Sequence, residues 1–228
     1  ELVIGGGPGG YVAAIRAAQR GLDVTLVEKD AIGGTCLNTG CIPSKAYITA
    51  TDIAHEASDA EEMGVFANPH VDLPTMNEWK DGVVDQLTGG VAKLCKANGV
   101  ELLEGAASFV DEHTVEIASD DGEGDEDGDG ESTELAFEHA IIATGSRPIQ
   151  IPGFEYSDEP VWSSTDALAA TERPDELVVV GGGYIGMELS TVFAKQGTEV
   201  TIIEMLDDIL PQYDEDITRI IRSKAEEL

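Results

Sequence analysis

Apolar and polar positions along the chain fall into short strand-like runs and longer stretches with helical spacing. Residues 2–5 and 23–28 read as parallel strands around a helix at 9–20. A helical pattern at 43–60 opens with Pro43, a favoured first-turn residue. Another covers 78–97, with Gly89-Gly90 as its weak point. Val100 to Leu103 reads as a short strand. Strands near 106–110, 113–118, 133–137 and 139–144 follow, in the manner of an antiparallel meander. From Arg147-Pro148 to Pro160 the chain is proline-rich and aperiodic, which places a domain boundary there. A strand–helix–strand–helix pattern then runs to Leu228.

One pattern of 26 residues occurs twice without a gap, 176 positions apart. Val3-Ile4-Gly5-Gly6-Gly7-Pro8-Gly9-Gly10 through Glu28 lies over Val179-Val180-Gly181-Gly182-Gly183-Tyr184-Ile185-Gly186 through Glu204. Each copy has an apolar strand, G-x-G-x-x-G, an amphipathic stretch, a glycine (Gly21, Gly197) and a second strand. Each ends at a glutamate 18 residues past the last motif glycine. The glycines permit a tight turn, close approach of a pyrophosphate and close helix–strand packing. The helix N-terminus offers free N–H groups to phosphate, and the closing acid accepts ribose hydroxyls. A lone glycine motif arises by chance in loops; the full order appearing twice implies two dinucleotide sites and hence an electron relay. Glu204 would repel a 2′-phosphate, so the second site is expected to prefer NAD to NADP.

The fold class implied is α/β, with two Rossmann-like dinucleotide-binding domains. The first (1–150) carries an antiparallel meander insertion. The second (151–228) is incomplete, because a Rossmann half normally needs a third strand. A chain that opens on a strand at Glu1, without an initiator methionine, and stops at Leu228 reads as a fragment trimmed at both ends.

Charge narrows the partners. Forty-five acidic residues against 13 basic ones give a net charge of −32. Nucleic acid and anionic membranes are poor partners for such a surface, and no apolar run is long enough to cross a bilayer. The acids are spread over the chain, as suits a surface screened by high salt. With 42% apolar but only 5% aromatic residues, the core should be aliphatic. The loop from Ser119 to Glu131 places Asp125, Asp127, Asp129 and Gly130 like the opening of a calcium loop. Ala136 stands where the bidentate glutamate belongs. A solvated hairpin tip is the better reading, and no metal site is expected.

Three cysteines make no structural framework and point to an intracellular, cytoplasmic setting. Cys95 follows Val91 and Leu94 at a helix end and reads as core. Cys36 and Cys41 lie in Gly33-Gly34-Thr35-Cys36-Leu37-Asn38-Thr39-Gly40-Cys41-Ile42-Pro43-Ser44-Lys45. Ferredoxin-type and zinc spacings are not met. A bond between the two would need irregular backbone, which Asn38 and Gly40 permit; two unrelated cysteines remain the alternative.

This segment resembles the redox-active disulfide signature of the pyridine nucleotide–disulfide oxidoreductases. Leu-Asn between the cysteines and Ile-Pro-Ser-Lys after them are closest to the dihydrolipoamide dehydrogenase branch, and the acidity to a haloarchaeal version. The resemblance implies a Cys36–Cys41 disulfide and FAD held by Gly5, Gly7, Gly10 and Glu28. Gly33, Gly34, Thr35, Cys36 and Lys45 would line the flavin. Ala107 stands where the family often has a glycine at the adenine, and Thr144, Gly145 and Ser146 end the closing flavin-domain strand. NAD would sit on Gly181, Gly183, Ile185, Gly186 and Glu204. Lys45 and Glu188 match a catalytic pair beside the reactive end of the flavin.

The implied reaction is oxidation of protein-bound dihydrolipoamide. The dithiol attacks Cys36, Cys41 passes electrons to FAD, and hydride goes to NAD⁺. The implied partners are the dihydrolipoyl group of an acyltransferase or lipoyl carrier protein, and a second subunit in a full-length homodimer. That subunit would supply a His–Glu base from a C-terminal domain; His55, His70, His113 and His139 match no such motif. The alternatives are a glutathione- or mercuric-reductase-like enzyme and a non-catalytic flavin-binding redox module.

Overall fold

The computed structural model describes residues 1–118, 132–156 and 160–228, so the acidic loop singled out above lies outside them. They form two compact units, Glu1–Cys41 with Val84–Arg147 and Ile42–Val83 with Pro148–Leu228.

In the first unit a four-stranded parallel sheet has the order β3-β2-β1-β7. Its strands are β1 (Leu2–Ile4), β2 (Thr25–Glu28), β3 (Glu101–Glu104) and β7 (Ala140–Ile142). The helix α1 (Pro8–Gln19) joins β1 to β2, and a short α2 (Gly34–Asn38) follows. Strands β4 (Ala106–Phe109), β5 (Thr114–Ala118) and β6 (Ser132–Ala136) form the antiparallel meander. Leu2, Ile4 and Val27 of the parallel sheet share a core with Val115 and Ile117 of β5. Val3, Leu26 and Ala14 are also fully buried. Strand alternation thus sends β1 side chains into apolar surroundings on both faces.

One strand departs from the pattern read above. β7 leaves the meander and pairs in parallel with β1, Val3 opposite Ile141. The hydrophobic pattern marks a strand but cannot say which neighbour it takes.

The second unit holds a two-stranded parallel sheet of β8 (Glu176–Val180) and β9 (Glu199–Ile203), joined by α6 (Tyr184–Ala194) and followed by α7 (Glu215–Ala225). Two long helices, α3 (Cys41–Ser58) and α4 (Leu73–Ala97), supply part of it, and α5 (Ser164–Ala167) lies between them and β8 in the chain. Tyr47 of α3 and Leu73 and Met76 of α4 share a core with Leu168, Leu189, Val192 and Phe193. This packing draws residues 42–83 into the second unit, so the compact units differ from the sequence partition at 150.

Both helix starts precede their predicted positions. α3 begins at Cys41, leaving Pro43 in the first turn, where its missing N–H costs no helical bond. α4 begins at Leu73 rather than 78, because Asp72 Oδ1 accepts the N–H of Thr75 at 3.0 Å and Pro74 sits in the first turn. It runs through Gly89-Gly90 unbroken.

Candidate functional site

The two glycine motifs fold alike. Gly5 and Gly181 both adopt positive φ, +102° and +109°, and each N–H donates at 2.8 Å to the end of the adjoining strand, Val27 or Ile203. A Cβ on Gly10 would collide with the Gly5 carbonyl, and one on Gly186 with that of Gly181. The third glycine therefore serves contact between helix and turn. Gly7 and Gly183, at the N-caps of α1 and α6, have ordinary extended backbone and no side-chain cap. A Cβ on Gly7 would meet only Gly34 Cα at 3.8 Å, and one on Gly183 nothing within 4 Å. Protein packing does not require glycine at either place. An uncapped helix N-terminus behind a clear approach fits a phosphate.

The closing glutamates are engaged in the same way. Glu28 Oε2 accepts the N–H of Gly6 at 2.5 Å, and its Oε1 that of Asp30 at 2.8 Å. Glu204 Oε2 accepts Gly182 N–H at 2.8 Å, and its Oε1 that of Leu206 at 2.9 Å. The Leu206 and Gly182 donors hold the Glu204 carboxyl below its usual range. Each carboxylate oxygen keeps a further lone pair for a ribose hydroxyl. Gly6 and Gly182, which the motif pattern leaves unspecified, supply the donors that hold these carboxylates in both copies.

The structural repeat outlasts the sequence repeat. Gly33 N–H donates to the Gly6 carbonyl at 2.8 Å, and Leu210 N–H to that of Gly182 at 2.7 Å. The offset is now 177, through one inserted residue. Gly33 adopts φ +98°, and Leu210 reaches the same left-handed region at φ +50°. Past this point the copies diverge, into Gly34-Thr35-Cys36 in one and Pro211-Gln212-Tyr213 in the other.

The cysteine segment lies against the first glycine turn. A Cβ on Gly34 would sit 2.6 Å from Gly7 Cα. Cys36 is on α2, Cys41 opens α3, and the helix breaks at Thr39-Gly40. Gly40 is needed here for close approach: its Cβ would meet Thr35 O at 2.8 Å and Cys36 Cα at 3.5 Å. Asn38 is helical, and its amide ties the bend by donating to Ile32 O at 3.1 Å and Gly34 O at 3.0 Å. Thr144 also reaches the glycine turn, its Cα 3.2 Å from a Cβ on Gly5, and Gly145 and Ser146 follow it, exposed. Ala107, on β4, packs against the core that the parallel sheet shares with β5. Cys95 is fully buried, and burial pushes its thiol up.

In the second unit Lys45 Nζ donates to Glu188 Oε1 at 2.5 Å, and Ser44 Oγ lies 3.4 Å from Glu188 Oε2. Ile185 is exposed on the first turn of α6, after Gly183. His55 pairs with Asp59 one helical turn on, and His139 with Glu1 at 3.3 Å.

Two glycine-turn dinucleotide folds with a cysteine bend on the first define a flavoprotein disulfide reductase architecture. The chain belongs to the pyridine nucleotide-disulphide oxidoreductase family, whose profile matches residues 2–228. The family uses FAD and NAD. The chain is 67% identical over 228 residues to the dihydrolipoyl dehydrogenase of Haloferax volcanii, covering all of this chain and 46% of that protein. The dihydrolipoyl dehydrogenase of Bacillus subtilis is 50% identical over 221 residues, which are 96% of this chain and 45% of that one. Among solved structures, LpdA of Mycobacterium tuberculosis matches with a TM-score of 0.87 at 26% identity, over 99% of this chain and 49% of that one. The chain spans about half the length of the curated relatives it matches. Among the described residues no helix is long and apolar enough to cross a membrane.

Proposed function

We propose that this chain is the dinucleotide-binding part of a cytoplasmic, salt-adapted dihydrolipoyl dehydrogenase. It would oxidise the dihydrolipoyl group of an acyltransferase or lipoyl carrier protein and work as a homodimer in its full-length form. The observation that carries the reading is the cysteine bend packed on the first glycine turn, where the second copy continues into Pro211-Gln212-Tyr213 instead. It supports the first turn as the FAD site and the second, with Glu204, as the NAD site.

Gly5, Gly7 and Gly10 would receive the FAD pyrophosphate at the N-terminus of α1, with Glu28 at the ribose. Gly181, Gly183, Ile185 and Gly186 would do the same for NAD on α6. An incoming dithiol attacks the Cys36 sulfur of a Cys36–Cys41 disulfide, forming a mixed disulfide and releasing Cys41 as thiolate. The second substrate thiol displaces Cys36, so lipoamide leaves oxidised and both cysteines are reduced. FAD held there would supply a two-electron acceptor for the cysteine pair and a hydride donor toward NAD⁺. Cys41 and Lys45 stand i and i+4 on α3, on one face by helical geometry. Lys45, oriented by Glu188, would counter negative charge on the reduced cofactor.

The test is anaerobic titration of the FAD-loaded chain with dihydrolipoamide, counting thiols at 36 and 41 by alkylation and mass spectrometry. Two new thiols per dithiol oxidised, lost in Cys36→Ser and in Cys41→Ser, are expected. The same oxidation of dithiol by both variants would overturn the reading.

A further inference from the structure

Lys45 and Glu188 are followed by a second ion pair. Two turns further along, Lys195, the residue that caps the C-terminus of α6, donates through Nζ to Asp52 Oδ1 of α3 at 2.5 Å. The spacing is seven residues on each helix, from 45 to 52 and from 188 to 195. The two helices therefore run in the same direction past one another. The polarity is inverted: α3 contributes the cation to the first pair and the anion to the second. Tyr47 and, less buried, Ile48 of α3 share a core with Leu189, Val192 and Phe193 of α6.

Inversion has a consequence that two like-oriented pairs would not. A slip of two turns sets Lys45 against Lys195 or Asp52 against Glu188, like charges in either case. Antiparallel docking sets both of those repulsive pairs at once. Apolar packing alone tolerates neighbouring registers; this charge arrangement penalises them. The two pairs differ in shielding at the lysine. The Lys45 side chain is 58% exposed and that of Lys195 17%, while the carboxylates are alike, 34% for Glu188 and 39% for Asp52. An exposed pair holds two long side chains only weakly, whereas a shielded one is less screened by salt. On a surface of net charge −32 suited to high salt, the shielded pair is the one that keeps its hold.

We propose that Asp52 and Lys195 are positioning residues for the Lys45–Glu188 pair, setting the direction and register of α3 along α6. The redox consequence rests on the role given above to Lys45; the mechanical coupling does not.

The test is a pair of double-mutant cycles on the whole chain, read by reversible unfolding at one fixed salt concentration. Lys45→Gln and Glu188→Gln are combined once in the natural background and once with Asp52→Asn. The Lys45–Glu188 coupling in the unfolding equilibrium is expected at about two- to fivefold, as for exposed pairs, and should fall toward one when Asp52 is replaced. Lys195→Gln in place of Asp52→Asn should lower the coupling in the same way. Equal coupling in the natural and either substituted background overturns the proposal. The midpoint potential of the FAD-loaded chain separates the two readings. If the coupling collapses as expected but Lys45→Gln leaves the potential unmoved, positioning stands and the redox role of Lys45 falls.

Discussion

The carboxylate of Glu204 accepts the backbone N–H of Gly182 at 2.8 Å, and its other oxygen that of Leu206 at 2.9 Å. These bonds tie the end of β9 to the glycine turn after β8, and Glu28 ties the first copy in the same way. The donors favour the ionised form, so the folded-state pKa of Glu204 lies below its ordinary value. A depressed carboxyl pKa adds stability above the unfolded value near 4.5, and that increment is lost as pH falls through the folded value. Glu204→Gln should therefore be less stable than the natural chain at neutral pH, with the gap closing as pH drops below the usual glutamate range. Thermal melts across pH at constant salt check this; a gap independent of pH would refute the linkage.

Glycines of one motif should fail in different ways. Gly186→Ala drives a Cβ into the Gly181 carbonyl and should cost about 2 kcal/mol or more of stability. Gly183→Ala meets nothing within 4 Å and keeps an ordinary backbone. It should melt within about 0.5 kcal/mol of the natural chain while losing NAD affinity, because a methyl would stand where a pyrophosphate approaches. Gly7→Ala should spare stability and reduce FAD binding likewise. Melting curves beside cofactor titrations separate the classes, and unchanged NAD binding by Gly183→Ala would remove the second site.

Local features were legible in the chain. β1, α1 and β2 and their copy are set by apolar periodicity and glycines within a few residues of one another. A bond between the cysteines would need irregular backbone, and the helix does break between them, at Thr39-Gly40. Features that depend on distant partners were not. β7 shows itself as a strand, but nothing in Ala140–Ile142 says that it pairs with β1. Residues 42–83 join the second unit through Tyr47, Leu73 and Met76, whose core partners lie about a hundred residues on. Lys45 and Glu188 were paired by resemblance, and Asp52 and Lys195, 143 residues apart, by nothing in the pattern. At α4 the helix starts five residues before the pattern at 78–97, where Asp72 caps it and Pro74 sits in its first turn.

Tyr47 ties α3 into the second unit by a buried hydroxyl. It donates to the Leu168 carbonyl at 2.9 Å and meets Asn77 Oδ1. Lys80 Nζ reaches the same carbonyl at 2.9 Å and Asn77 Oδ1 at 3.1 Å. Because Lys80 still serves both acceptors, Tyr47→Phe should cost only about 1 kcal/mol. Burial first, and the charge of Asp81 second, push the Tyr47 hydroxyl up to about 12 from its ordinary 10.0. A raised folded pKa adds stability below pH 10 that is lost as pH climbs through about 12. Denaturant titrations over that window should show the natural chain losing stability that Tyr47→Phe does not lose. Parallel curves for the two would mean that Tyr47 ionises as it does in the unfolded chain.

Gly40 is a point of close approach within the cysteine bend. Its backbone runs so close to α2 that a Cβ would meet Thr35 O at 2.8 Å and Cys36 Cα at 3.5 Å. Gly40→Ala must therefore move residues 39–41 away from Cys36, while the core of the first unit, built on Leu2, Ile4, Val27 and Val115, lies elsewhere in the chain. Global stability should fall by about 1 kcal/mol. The equilibrium between the proposed Cys36–Cys41 disulfide and its dithiol should shift further, by about tenfold toward the dithiol, since about 1.4 kcal/mol of strain on the disulfide form alone is a factor of ten. Equilibration against glutathione, with alkylation and mass spectrometry at residues 36 and 41, measures it. Cys95, fully buried with its thiol pushed up, should stay unmodified in the folded chain and serve as the internal reference. A Gly40→Ala chain with an unchanged thiol–disulfide equilibrium would show that close approach of residue 40 to Cys36 does not set that equilibrium.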